Sequence, residues 1–521
     1  MRDQTTELSR RGFLKTSAVA GAGLSIAALL AGCAPKSGED GSKAASGTPA
    51  EDIAWDKSVD VLVVGYGGAG SAAAIEAKRA GAEVLMVEAF TEGGGSTAMN
   101  GGAIMMGGTA LQKKLGVEDS VENFYKYMAA AAGDNANLDL LKTACDESAD
   151  LYDWCVGCGM EFETGTVDLD HHRGGFNPGI SLGFTGNELA RPYRNVTPSV
   201  PHGHFPQPNA SGQDIFTALR STVEAEGVEV LLGTPAVRLV TNSSGRVIGA
   251  FVGEKGDQAI EAKKGVILTC GGFTDNAELL KDTYPHPNKR GSRLTSSGRE
   301  DGSGILMGIE IGAATYGMGS FQIGDIVVNL AEPLAQGILI NEYGRRIVAE
   351  DEYNSFIGKA YIHAPTSACY LIIDESVQQK TQVKRFGDPL IISSDINEIA
   401  ETLGVDSDVL NSTLSFYNDS VALGIDRDFG KEAKHLVDLG GKTLYAYRTG
   451  TESCYTASLG GLKVDAEARV LDHADKVIEG LYAAGRNAGT WFGWYPGSGS
   501  CMLDALVFGR IAGKSAAAAN A

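Results

Sequence analysis

The stretch Val59-Asp60-Val61-Leu62-Val63-Val64-Gly65-Tyr66-Gly67-Gly68-Ala69-Gly70 decides the fold. Its first six residues are a β-branched run of the kind that forms a buried parallel strand. The glycines that follow have Gly-x-Gly-x-x-Gly spacing, and Ser71 to Ala80 reads as a helix. A second strand, Ala82 to Val87, ends in Glu88, eighteen residues after Gly70. The glycine spacing alone is a weak signal. Set between strand and helix and followed by a strand-terminal acid, it makes a dinucleotide-binding unit. Gly65 permits the tight turn, Gly67 lets backbone approach a pyrophosphate, and Gly70 lets the helix pack on the strand. Gly68 and Ala69 complete the loop. The helix N-terminus meets phosphate charge, and Glu88 is placed to accept ribose hydroxyls.

Composition fits a globular chain built on such turns. Glycine makes up 69 of 521 residues without a collagen period, beside 43% apolar residues. The net charge of −21 argues against nucleic acid as a partner, because phosphate binding needs clustered Lys and Arg. Eight cysteines in so long a chain are not a disulfide scaffold.

Residues 1–33 read as an address. Ser9-Arg10-Arg11-Gly12-Phe13-Leu14-Lys15 is a twin-arginine export motif, followed by an apolar run from Ala18 to Ala31 too short to span a membrane. Leu30-Ala31-Gly32-Cys33 resembles a lipoprotein box, with Cys33 as the lipidated residue and a lipid anchor at the outer face of the membrane. Residues 34–55 read as a flexible tether. In the leader Arg2, Arg10, Arg11 and Lys15 outnumber Asp3 and Glu7 by two, so its removal takes −21 to −23. That charge would suit a basic redox partner.

Three further glycine turns accompany the first. They are Gly93 to Gly102, Lys264 to Phe273, and Glu479 to Asn487 with Gly485-Arg486. Together these resemble the FAD-binding family of fumarate reductase and succinate dehydrogenase flavoprotein subunits, flavocytochrome c and 3-ketosteroid dehydrogenases. The resemblance spans about residues 58–515. It implies an α/β fold: a discontinuous Rossmann-like FAD-binding domain (56–317 and 447–521) with an inserted α+β capping domain (318–446). It also implies FAD contacts from Gly95, Ser96, Thr97, Gly101, Gly102, Ala236, Gly271, Gly272, Asp301, Gly485, Arg486, Ser500, Met502 and Leu503. Members with covalent flavin carry His where Ser96 stands, so non-covalent FAD is expected.

Dicarboxylate reductases of the family need cations to pair two buried carboxylates. The matching positions here are Gly324 of Gln322-Ile323-Gly324, Asn354 after the Gly344–Glu350 stretch, Ala457 and Pro496. None is cationic. Gly493-Trp494-Tyr495-Pro496-Gly497-Ser498-Gly499 instead resembles the loop by which 3-ketosteroid dehydrogenases and 3-oxosteroid reductases hold a ketone oxygen, through Tyr495 and the Gly499 N–H. Two neutral donors suit a developing enolate. Glu350-Asp351-Glu352-Tyr353 resembles the segment carrying that family's proton-transferring tyrosine. Trp491, Phe492, Trp494 and Tyr495 are expected to line a flat apolar slot.

These features imply an exported FAD-dependent oxidoreductase acting on a C=C bond conjugated to a carbonyl, such as a 3-oxosteroid or another planar apolar enone. Reduction is favoured, with hydride from flavin N5, Tyr495 and Gly499 at the enolate oxygen, and Tyr353 giving the α-proton. Electrons would come from a membrane-linked cytochrome or flavin carrier, since no CxxCH haem motif is present. One alternative is an α,β-unsaturated acid reductase using Arg194 or Arg293. Another is a non-catalytic flavin electron-transfer lipoprotein. Cys155-Val156-Gly157-Cys158 reads as helix packing, with no second CxxC to make a cluster. His171, His172, His202 and His204 read as a loop over the substrate entrance, exposed or near substrate. No metal site is assigned.

Overall fold

The apolar run of the opening motif becomes the strand Lys57–Val64, and Val61, Leu62 and Val63 lose all contact with solvent. Each such side chain contributes about 1.5–3 kcal/mol by burial. The structure is a computed structural model. It describes residues 53–163, 165–168, 179–190, 192–284, 293–294, 298, 300–325, 332–365, 368–381, 387–451 and 454–521. The leader, Cys33, most of the tether, His171 and His172 lie outside these residues. Trp55, at the tether's end, is docked with its ring over Gly249.

Lys57–Val64 pairs in parallel with Val84–Val87 on one side and Gln258–Leu268 on the other. Glu229–Leu231 and Val477–Ala483 extend the parallel sheet outward, and Arg469–Leu471 adds an antiparallel edge. Val64, Val87 and Leu268 stand side by side, so these strands end at one level. In such sheets the ligand crevice lies beyond the carboxyl ends.

Gly68–Arg79 is alanine-rich, and its residues from Gly68 to Ala77 are buried. Its small alanines let it lie buried between the sheet and the C-terminal helix Ser500–Ala518. Small residues set that approach: a Cβ on Gly509 would come within 2.5 Å of the Ala69 carbonyl, and one on Gly513 within 2.2 Å of that of Ala73.

A separate antiparallel sheet joins Ile338–Asn341, Ala368–Asp374, Leu444–Gly450 and Ile391–Ser393. Alternation divides its faces. Ile338, Ile340, Ile372 and Ala446 form a core with the helices Ile396–Leu403 and Ser407–Leu423. Leu339, Leu371, Ile373 and Tyr447 turn to the main core. The chain runs out to this sheet along Phe321–Asp325 and returns along Cys454–Ser458, two strands paired antiparallel. Tyr353 caps the helix Asn354–His363, which packs on Phe321–Asp325. Among the described residues no helix is long and apolar enough to cross a membrane.

Candidate active site

A cavity of about 1010 Å³ opens beyond the carboxyl ends of the parallel strands. Gly65, Gly67, Gly68, Ala69, Glu88, Gly95, Ser96, Thr97, Gly101, Ala236, Gly271, Asp301, Gly485, Arg486 and Met502 line it. So do Tyr495 and Gly499. Gly70, Gly102, Gly272, Ser500 and Leu503 do not. A Cβ on Gly70 would sit 2.0 Å from the Gly65 carbonyl, so that glycine serves packing. Gly102 lies against Ala210 and Gly272 against the Ser458 hydroxyl. Ser500 donates to the Gly497 carbonyl at 2.7 Å, and Leu503 is core.

These residues suit a dinucleotide. Gly68–Arg79 and Ser500–Ala518 both begin at this cavity, with Gly67 and Gly499 as N-caps that offer no side-chain acceptor. Two helix N-termini thus open on this cavity, and that of Gly68–Arg79, with its bare glycine turn, favours an anion such as pyrophosphate. A Cβ on Gly67 would meet nothing closer than 3.7 Å, so backbone is bare on that side. The Glu88 carboxylate accepts from the Tyr66 N–H at 2.7 Å and the Phe90 N–H at 2.9 Å. It keeps lone pairs for ribose hydroxyls.

Glu300 escaped the sequence reading. It is buried in the cavity wall, takes hydrogen bonds from Ser96 and Thr274, and pairs with Arg486. Its signal was the Glu300-Asp301-Gly302 turn, in which Gly302 adopts φ +75°. Cys270 and Cys501 also line the cavity, and burial pushes each thiol up to about 12. Both stay protonated.

Gly499 holds φ +97°, and a Cβ there would lie 2.6 Å from the Met105 nitrogen. Tyr495 is nearly buried. Tyr353 has no exposed surface. Its backbone N–H donates to Asn187 Oδ1 at 2.7 Å, and its hydroxyl shares a 2.6 Å hydrogen bond with Ser498 Oγ. Ser498 lines the cavity and Tyr353 does not, so Ser498 stands between that tyrosine and the space. Sequence reading missed Ser498 because its partner is 145 residues away.

The aromatic slot is corrected. Only Tyr495 of the four rings lines the cavity. Trp491 is fully buried and stacks on Phe492 at 3.8 Å, and Phe492 lies parallel to Tyr495 at 6.4 Å. Trp494 faces Lys359 and His363. The rings buttress Tyr495 from behind. Beneath them burial raises Asp504 to about 7, while it accepts from the Thr490 hydroxyl at 2.5 Å.

His202 and His204 are buried, not exposed over an entrance. His204 Nε2 meets the Thr109 hydroxyl at 2.8 Å, and its Nδ1 meets the His202 carbonyl at 2.9 Å. Cys155 and Cys158 are buried and reduced, and both join the main core.

Among the described residues lining the cavity, Arg486 is the one cation, and Glu300 neutralises it. Gln322, Asp325, Asn354 and Ala457 also line the space, and none of them is a cation. The Pro496 carbonyl accepts from the Tyr127 hydroxyl at 3.1 Å. Arg194 lies outside the lining and faces Glu432 at 3.7 Å. Arg293 pairs by its backbone with Tyr455, and its side chain lies outside the described set.

Comparison with known proteins gives a match to the FAD binding domain family over residues 60–502 and to the twin-arginine translocation signal over residues 7–27. The latter marks export by that pathway. Among solved structures the chain is similar to 3-ketosteroid-Δ4-(5α)-dehydrogenase of Rhodococcus jostii RHA1 in complex with 4-androstene-3,17-dione. That likeness has a TM-score of 0.81 and 31% identity over 90% of this chain and 99% of the other. The digoxin reductase of Eggerthella lenta is 26% identical over 98% of this chain and 97% of its own length. A probable fumarate reductase of Shewanella frigidimarina, Ifc3, is 29% identical over 88% of this chain and 75% of its own.

Proposed function

This chain belongs to the FAD-binding-domain family and is an FAD-dependent oxidoreductase of CH–CH bonds, and we propose that it reduces a C=C bond conjugated to a neutral carbonyl, in a planar apolar enone of the 3-oxosteroid kind. The observation that carries this is the donor set in the cavity wall. Tyr495, Ser498 and Gly499 all line the cavity, and the only lining cation among the described residues is already paired.

FAD, when bound in the glycine cradle, supplies the hydride through N5 of its reduced ring. The protein does the rest. The Tyr495 hydroxyl and the Gly499 N–H donate to the carbonyl oxygen, and their bonds strengthen as enolate charge develops. The Ser498 hydroxyl passes a proton to the α-carbon and takes another from Tyr353, 2.6 Å behind, whose phenolate regains a proton from solvent before the next turnover. In the oxidative direction the same pair would accept the proton. Buried apolar rings behind Tyr495 keep water from the donors. Ser96 stands where covalent members of the family carry His, and it donates to Glu300.

Two of the relatives favour a neutral substrate, while the Shewanella relative is named for fumarate. The solved dehydrogenase holds 4-androstene-3,17-dione, and the Eggerthella reductase is named for digoxin. Export favours reduction, since electrons outside the membrane come from a quinol-linked cytochrome or flavin carrier. Cys33 would tether the enzyme beside it.

Product labelling tests the mechanism. Holoprotein reduced anaerobically in D₂O and given a cyclic enone should yield one saturated ketone per flavin with deuterium on both the α-carbon and the β-carbon, because the N5 hydrogen of the reduced flavin is drawn from solvent. Flavin reoxidation without a saturated, labelled ketone would overturn the assignment.

A further inference from the structure

His202 lies in a position the proposed chemistry does not use. Its ring is 1% exposed. Nε2 is 3.4 Å from Asp119 and Nδ1 is 3.5 Å from Glu188, two carboxylates that are themselves buried. Tyr127 stacks on the ring at 5.3 Å and Phe124 leans on it at 4.9 Å. Two buried anions without a cation between them would cost several kcal/mol. The carboxylates hold the imidazole charged, raised to about 9. The neighbouring His204 is driven down to about 4 by burial and stays neutral. Burial also holds the Tyr127 phenol well above its usual range.

The charge on Glu188 has a further use. Its Oε2 accepts from the Gly186 N–H at 2.8 Å and so shapes the turn Thr185–Glu188. That turn touches both halves of the proposed proton and oxyanion machinery. The Thr185 carbonyl accepts from the Ser498 N–H at 2.7 Å, and Gly186 bridges to Gly497. Asn187 Oδ1 accepts from the Tyr353 N–H at 2.7 Å. The Tyr127 hydroxyl, against the His202 ring, donates to the Pro496 carbonyl and accepts from the Asn187 N–H.

We propose that His202, as the cation between Asp119 and Glu188, is a positioning residue that holds the Thr185–Glu188 turn and through it sets the Tyr495–Gly499 loop against Tyr353. As a claim about catalysis this rests on the enone reading. As a claim about the loop it does not.

The test uses the FAD-loaded protein and His202→Gln. Hydrogen–deuterium exchange of the segment 493–502 should rise at least tenfold, with far smaller changes elsewhere. Turnover of a neutral enone per bound flavin should fall at least tenfold, with KM moving less than about threefold. In the wild type, exchange of the same segment, corrected for its intrinsic rate, should accelerate as pH passes about 9. Glu188→Gln leaves the His202–Asp119 pair in place, so it serves if His202→Gln does not fold, and it should loosen the same segment. Histidine-labelled NMR should find His202 charged at pH 7. A neutral ring at pH 7 would overturn the proposal. So would an evenly spread rise in exchange, or a loosened loop with unchanged turnover per flavin. The exchange and NMR readouts need no substrate, so a chain that reduced no enone would sink the functional reading while the loop claim was still decided.

Discussion

Tyr495→Phe removes one oxygen and little else. The tyrosine is 6% exposed, and its ring lies parallel to Phe492, which in turn stacks on the fully buried Trp491. Phenylalanine keeps that stack, so the melting temperature should move by no more than about 2 °C, the effect of under 1 kcal/mol in a chain this large. FAD content should not change, because the cofactor cradle is formed by other residues, Gly65–Ala69 and Glu88. The lost hydroxyl is one of two oxyanion donors, and removal of such a donor costs about 10²–10³ in turnover, or roughly 3–4 kcal/mol. The Gly499 N–H remains, so activity should not fall to zero. The assay is single-turnover reoxidation of the pre-reduced flavin by a neutral enone, followed by flavin absorbance. A wild-type rate in Tyr495→Phe, with FAD bound, would refute the oxyanion assignment. A loss confined to KM would also refute it, since the donor then binds the ground state as well as the transition state.

Ser498→Ala and Tyr353→Phe should each slow enone reduction by about 10²-fold or more. The double variant should be only a few-fold worse than either, because hydroxyls 2.6 Å apart act as one path; additive losses in kcat would separate them. Gly70→Ala should empty the cofactor site and cost about 3 kcal/mol, since its Cβ would sit 2.0 Å from the Gly65 carbonyl; flavin absorbance of the purified variant reads this, and full occupancy would contradict it. Asp504 has its folded-state pKa raised from 3.8 to about 7 by burial. An acid raised in this way is most stabilising when protonated, so its contribution is complete below about pH 4 and lost as pH rises through 7. Asp504→Asn should therefore gain on the order of 2–4 kcal/mol over wild type at pH 8 relative to pH 4, read by denaturant unfolding at both pH values; equal changes at the two would show that the carboxyl is not held protonated.

The cofactor half of the molecule was legible because its signals are local. Gly65, Gly70 and Glu88 lie within one strand–helix–strand unit, and the steric need for Gly70 is met inside that unit. The absence of cations at Asn354 and Ala457 could be read position by position. Pairings across the chain were not legible. Glu300 meets Arg486 over 186 residues, and nothing near either one announces the other. Ser498 looked like loop filling until the fold brought Tyr353 to it. His202 and His204 sit in a Pro- and Gly-rich stretch that reads as exposed loop. Asp119 and Glu188 arrive from other elements and make a buried cation favourable there. The aromatic cluster was placed in the right loop and given the wrong face. Adjacent residues on a turn cannot all point into one cavity, and packing took Trp491 and Phe492 into the core.

The central claim is that this site reduces conjugated double bonds of neutral carbonyl compounds. Stopped-flow reoxidation of the reduced holoprotein by a cyclic enone and by an unsaturated acid of similar size tests it most directly. The enone should react at least about a hundredfold faster, because the described lining has no cation left to pair a carboxylate. Rapid reoxidation by the acid and none by the enone would contradict the account.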